Sequence, residues 1–357
     1  ARLYASAGIT TDHECFTAEE ALDKLAVGMK ILIREGSAAK NFEALIDLID
    51  EYPEMIMFCS DDKHPDNLAI SHINELASRA IAKGKDVFDV LRAACLNPIA
   101  HYTLPVGQVR EGDPADFILT KDLKKFEVLA TYIKGQKVAE NGKTLIPRVN
   151  NEVINNFNTS LKKSEDFQLY ASGTKVRVIE ALDGQLITPE IEGEILIRDG
   201  FAESNSEKDI LKITVVNRYQ DAPPAVAFIK NFGLKTGAIA SSVGHDSHNI
   251  IAVGIDDVSI CRAVNLLIEA KGGISAVSGE KEEVLPLPVG GIMSPEDGYQ
   301  VAEAYTRIDR MAKEMGSNLN SPFMTLSFMA LLVIPDLKLS DKGLFDGKKF
   351  EFVEVFF

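Results

Sequence analysis

The chain has 357 residues, 46% of them hydrophobic and 25% charged, with a formal net charge of −15. That length and balance describe a globular chain of two or three domains, able to bury a core without staples. Lys and Arg form no basic face, which excludes nucleic acid and anionic membrane surfaces as partners, and no apolar run reaches the ~18 residues that span a bilayer.

Cys15, Cys59, Cys95 and Cys261 show no CxxC spacing. Reduced thiols and a cytoplasmic location are expected, not a disulfide framework or zinc ribbon. No secretory signal opens the sequence. "ARLYASAG" reads as the end of a helix stopped by Gly8, so a segment upstream is expected to have been removed.

A short strand over 9–13 is followed by a helix that Thr17 and Glu20 open at capping-box spacing, with Ala21, Leu22, Leu25 and Ala26 as its stripe and Gly28 as its stop. Strands are predicted at 30–34 and 55–60, and helices at 41–52, 66–84 and 86–102. This β-α-β-α-β-α order, without alternation in the strands, predicts a parallel sheet covered on both faces. Three units fit the last part of a (β/α)8 barrel, which needs ~250 residues, or a small open sheet.

Residues 105–149 carry Gly-Asp-Pro, Lys-Gly and Asn-Gly punctuation between short strands, a small antiparallel unit. Residues 150–166 read as a polar connector. Residues 167–357 read as an α/β domain, with strands at 174–181, 193–198, 210–217, 225–230, 236–241 and 249–255. Its helices are predicted at 257–270, capped by Asp256, and at 295–315, capped by Ser294 with Pro295 in the first turn.

Chemistry is sought where parallel strands end, because ligands bind at that edge of α/β sheets. His13, flanked by Asp12 and Glu14, reads either as a metal ligand or as a polar residue before a helix. Asp61 and Asp62, after the strand 55–60, read as a ligand and proton acceptor for a metal-activated water, or as a solvated turn. Arg34, Ser37 and Lys40 read as substrate-orienting groups or as a helix start. His245 and His248, with Asp246 between them, read as a second metal site or as polar groups of a tight loop. No GxGxxG or Walker-type loop is present.

"GITTDHECFTAEEALDKLAVGMKILIREGSAAKN", "FCSDDKHPDNL", "LNPIAHYTLPVGQVREGDPADFIL", "SVGHDSHNIIAVG" and "SFMALLVIPDLKLSDKGLFD" together resemble the adenine deaminases of the amidohydrolase superfamily, in order and over essentially the whole chain. The resemblance implies the last three units of a distorted (β/α)8 barrel at 1–104, return strands of a small β-sandwich at 105–149, a connector at 150–166 and a C-terminal α/β domain at 167–357. It implies hydrolytic deamination of adenine to hypoxanthine and ammonia at a divalent-metal centre, binuclear with Fe, Mn or Zn.

By that resemblance His13 and Asp61 are metal ligands. Asp61 is also the proton acceptor, and Glu14 a proton-transfer or supporting group. Arg34, Glu35, Ser37 and Asp62 line the purine pocket, and His245, Asp246, His248 and Asn249 contribute from the C-terminal domain. The family's His-x-His pair, bridging glutamate and further histidine have no counterpart among the six histidines here. The chain alone is therefore expected to be inactive. Homo-oligomerisation, or a separate chain supplying the rest of the barrel, is expected. Another amidohydrolase acting on a purine or cyclic amide, and a non-catalytic assembly protein, are the competing readings.

Overall fold

Apolar strands joined by helices pair in parallel in the N-terminal part of the chain, as their unbroken hydrophobicity requires. In the computed structural model, which describes residues 1–37, 39–149 and 151–357, the chain divides into two units, Ala1–Val149 and Asn150–Phe357. Ala38, in the loop after the second strand, and Asn150, the start of the expected connector, lie outside the described residues.

The first unit runs α1 (Arg2–Ser6), β1 (Thr11–Asp12), α2 (Ala18–Leu25), β2 (Lys30–Arg34), α3 (Phe42–Leu45), β3 (Ile56–Cys59), α4 (Pro65–Leu68), α5 (Ile73–Ala82), α6 (Val87–Leu91) and α7 (Asn97–Tyr102). β1 and β3 flank β2, both parallel to it, with Asp12 opposite Ile31 and Arg34 opposite Cys59. Thr17 caps α2 by accepting from the Glu20 N–H at 3.2 Å, but Glu20 reaches back to the Phe16 N–H instead of Thr17's own. Ala21 and Leu25 enter the core, whereas Leu22 stays 39% exposed.

Three helices depart from the sequence expectation, each for a local reason. The segment 41–52 is α-helical only to Leu45; Ile46–Asp50 is a 3₁₀ turn. In a 3₁₀ helix residues three apart eclipse. Ile46 and Ile49 thereby both enter the core, while Asp47 and Asp50 both reach Lys85 Nζ, at 2.6 and 2.7 Å. The segment 66–84 breaks between α4 and α5. There the His72 N–H turns to Asn74 Oδ1 at 2.9 Å and Ser71 Oγ to Glu75 at 2.5 Å, side-chain bonds that compete with the helix ladder. The segment 86–102 contains a π turn at Arg92–Leu96, just before Pro98, which has no N–H to continue the ladder. β4 (Phe117–Thr120), β5 (Val128–Ile133), β6 (Gln136–Glu140) and β7 (Lys143–Thr144) then form a four-stranded antiparallel sheet.

The second unit holds β8 (Lys175–Glu180), β9 (Glu190–Glu194), β10 (Leu196–Arg198), β11 (Phe201–Glu203), β12 (Ile210–Val216), β13 (Ala225–Lys230), β14 (Ala238–Ser241), β15 (Ile250–Gly254), α8 (Asp257–Ala270), β16 (Gly273–Ser278), β17 (Lys281–Pro286), α9 (Gly298–Glu314), α10 (Pro322–Phe328), β18 (Leu337–Ser340), β19 (Gly343–Asp346) and β20 (Glu351–Phe352). Eight strands order as β17-β16-β14-β15-β12-β13-β8-β9, antiparallel except for β13 beside β8. The predicted strand 193–198 is split between β9, in this sheet, and β10, which forms a separate hairpin with β11.

Every residue of β12, β14 and β15 is buried. The sheet is therefore covered on both faces and its central strands do not alternate. α8 supplies one cover through Ile260, Val264 and Leu267. The polar stretch 151–163 has no helix or strand, yet Phe157, Thr159 and Lys162 are buried, and Asn155 Nδ2 donates to the Lys271 and Pro288 carbonyls at 2.6 and 2.9 Å. It is a strap on the second unit.

α9 begins three residues later than the sequence suggests. Asp297, not Ser294, is the cap, accepting from the Tyr299 and Gln300 N–H groups at 3.0 and 3.3 Å. Ser294 instead accepts from Glu296, within the preceding turn. Asp297→Ala is expected to lower unfolding stability by about 1 kcal/mol, and Ser294→Ala by less than half of that; denaturant unfolding of the two variants checks the assignment.

Candidate metal centre at the parallel strand ends

The parallel register brings the residues that follow β1, β2 and β3 to one edge of the sheet. His13 and Glu14 follow β1, Arg34 ends β2, and Asp61 lies two residues beyond β3. His13 Nε2 is 3.2 Å from Asp61 Oδ2 and 3.2 Å from Glu14 Oε1. Asp61 has φ +45°, a left-handed conformation that aspartate tolerates better than most residues.

Asp12 does not join the cluster. Its Oδ1 accepts from the Glu14 and Cys15 N–H groups at 2.8 and 3.1 Å, and its Oδ2 pairs with Lys24 at 2.9 Å. That Asx-type turn fixes the backbone carrying His13 and Glu14. Asn41, which the sequence reading passes over, ties the site together. Its Oδ1 accepts from the Arg34 N–H at 2.7 Å, and its Nδ2 donates to the Cys15 and His13 carbonyls at 2.9 and 3.3 Å. An asparagine before an apolar helix reads as an N-cap, which hides this role; here its side chain makes no cap bond.

Arg34 is 3% exposed and lies on the acids. Its guanidinium is 2.5 Å from Glu14 Oε1, 2.9 Å from Asp61 Oδ1 and 3.6 Å from Asp62 Oδ1. Gly36 makes room for Asp62, since a Cβ on it would lie 1.5 Å from Asp62 Oδ1. Glu35 is engaged elsewhere, by Arg79 at 2.5 Å and the Phe42 N–H at 3.3 Å. Ser37 is buried and accepts from the His64 N–H at 2.9 Å, joining the loops after β2 and β3. Lys40 is exposed.

These contacts set the protonation states. The hydrogen bond with Glu14 raises the His13 pKa above its usual 6.5, against burial and with help from the charges of Glu14 and Asp61. The same bond, with the charge of Arg34, holds Glu14 below the usual carboxylate range. Burial pushes Cys15 and Cys59 up to about 12, so neither is a thiolate at neutral pH. Burial takes His64 down to about 4, leaving its ring neutral.

In the second unit, the His245 ring stacks on Phe328 at 4.6 Å, and the His245 and His248 rings are 5.8 Å apart. Asp246 is largely exposed, 3.9 Å from His245 Nδ1. Asn249 is buried and accepts from the Arg218 N–H at 3.2 Å. Burial lowers the His248 pKa, and the neighbouring charges of His245 and Arg218 lower it further. Among the described residues no three His, Cys, Asp or Glu side chains converge closely enough to hold a metal, here or at His13.

Comparison with known proteins agrees with the division of the chain. The amidohydrolase family matches residues 3–138, and the adenine deaminase C-terminal domain matches 185–351. The chain is 59% identical to an adenine deaminase of Sulfurovum sp. (strain NBC37-1) over 352 residues, covering 98% of this chain and 64% of the relative. It is 55% identical to that of Salinibacter ruber, covering 99% of this chain and 65% of the relative. It is 52% identical to that of Methanosarcina acetivorans, covering 99% and 66%. The chain thus spans just under two thirds of the length of these curated relatives. Residues 3–138 are thus an amidohydrolase-family segment and residues 185–351 an adenine deaminase C-terminal domain.

Proposed function

We propose that these residues form part of a metal-dependent adenine deaminase, which hydrolyses adenine to hypoxanthine and ammonia. The observation that carries this reading is the 59% identity to the Sulfurovum adenine deaminase over 98% of the chain. In the same reading β1–β3 are the last units of a (β/α)8 barrel and β4–β7 the return strands of a small sandwich. The setting is cytoplasmic purine salvage, in a homo-oligomer or with a second chain.

His13 Nε2 and Asp61 Oδ2 would hold a divalent ion. Two donors each ~2.0–2.2 Å from one ion lie roughly as far apart as this pair, at 3.2 Å. An imidazole with carboxylates suits iron, manganese or zinc. Bound there, a divalent ion would supply Lewis-acid activation of water. Asp61 would accept a proton from the attacking water. Glu14, held ionised by His13 and Arg34, would take up a proton and then pass it toward the departing amine. Ser37 and Asp62 remain proposed contacts for the purine. The loop at His245–Asn249 is proposed as a further contributor to substrate binding.

These residues supply two metal donors, where catalytic sites use three or more protein ligands. The 357-residue chain by itself is expected to convert adenine no faster than a metal blank. Joined to the third of the Sulfurovum enzyme with which it does not align, it is expected to release hypoxanthine, and Asp61→Asn in that chimera to cut the rate by roughly 10²–10⁴. A folded, metal-loaded chimera without turnover would remove the proposal.

Metal binding requires a neutral imidazole. Because the His13 pKa is raised above 6.5, zinc affinity of the chain is expected to climb as pH rises through a window above 6.5, then level off. The sign for stability is the reverse: the contribution of the His13–Glu14 pair is full below pH 6.5 and is lost as pH rises through the folded pKa. Chelator competition at several pH values, with His13→Ala as the flat reference, measures the first effect.

A further inference from the structure

Lys338 takes no part in the cluster at the parallel strand ends, yet it is a fully buried cation of the second unit. It lies on β18 at 0% exposure. Its Nζ donates to the Leu186 carbonyl at 2.7 Å, and among the described residues no carboxylate pairs with it. The bonds around it join the same two segments. Thr188 Oγ1 donates to the Leu337 carbonyl at 2.8 Å, and the Thr188 carbonyl accepts from the Asp336 and Leu337 N–H groups at 3.2 and 3.1 Å. Together they fasten the β18–β20 sheet to the loop 181–189, which links β8 to β9.

An ammonium carries three N–H donors, and this enclosure gives it one acceptor. Lysine is rarely buried without a pairing charge, because nothing then offsets its desolvation. The neighbouring charges do not supply one. β18 packs against β8, β12, β13 and β19. On those strands Lys175 and Arg177 pair with Glu192 and Glu190, Lys212 with Asp257, and Asp346 with Lys349, while Glu180 and Lys230 lie opposite each other in register. Asp183, on the loop itself, accepts from the Asn320 N–H at 2.9 Å. Asp336 is the carboxylate whose field reaches the amine, and its Oδ2 already holds Lys348 at 2.7 Å. Burial outweighs that field and takes the Lys338 amine down from 10.5 to about 7.

We infer that Lys338 is a pH-sensitive latch: as a neutral amine it ties the β18–β20 sheet to the loop 181–189, and its protonation favours release of that sheet. The inference stands apart from the deaminase reading. Its sign follows from linkage. With the sheet released, the amine reaches water and titrates at its ordinary 10.5; with the sheet docked, it titrates at about 7. The docked form therefore loses stability as pH falls from 10.5 to about 7, and the loss is complete below the lower value.

The test is amide hydrogen exchange of the 357-residue chain, with each amide referred to its own unstructured rate. Between about pH 9 and about pH 7 the opening equilibrium of β18–β20 is expected to rise roughly 50-fold in the unaltered chain. In Lys338→Met it is expected to stay level over the same interval. A rise that Lys338→Met retains would overturn the inference, and so would a rise shared equally by the central strands β12, β14 and β15, which would mark a loss of stability in the whole unit. A second measurement needs no variant: carbon-13 NMR of labelled lysine side chains in the unaltered chain. One lysine titrating near 7 is expected, and every lysine titrating near its ordinary value would remove the latch.

Discussion

The register of three short parallel strands is the constraint on which the candidate site depends. With Asp12 opposite Ile31 and Arg34 opposite Cys59, residues distant in sequence leave the sheet side by side. A slip of one residue in β2 would turn Arg34 to the other face of the sheet, away from Glu14 and Asp61. The core beneath resists such a slip, because Ile31, Ile33, Ile56 and Phe58 are packed among the helices.

Charge completes what register begins. Three carboxylates and one imidazole meet around one buried guanidinium. Carboxylates this close raise one another's pKa unless a cation intervenes. Glu14 instead stays low, through His13 and Arg34. The cluster is compact because each acid has a named partner, and Gly36 admits Asp62 where any side chain would collide.

Much of this was legible in the sequence. The parallel strands stand out as apolar runs, and His13 and Asp61 stand out because each follows one. Thr17 and Asp256 were recognisable caps and are observed as such. Arg34 was legible as a loop-end cation but not as an acid clamp, since its partners are 20 and 27 positions away. Asn41 was hidden because its residue type has a commoner local use. Asp297 was passed over because Ser294 and Pro295 offer a helix start three residues earlier; which turn the helix adopts depends on side-chain bonds that spacing alone does not rank. The 3₁₀ turn at 46–50 depends on Lys85, which a local pattern cannot see.

The strap at 151–163 bears on how such a chain can be cut and joined. Its composition is that of a tether, and a tether is where recombination would leave neighbouring domains undamaged. Phe157 nevertheless packs in the same core as α8, and the Lys162 backbone exchanges hydrogen bonds with the Asn265 side chain at 2.8 and 2.9 Å. A breakpoint at residue 167, where the sequence pattern starts the C-terminal domain, would take part of the interior with it. The transferable module begins no later than the start of the strap, at residue 151 rather than 167, so composition places the seam of inheritance too late.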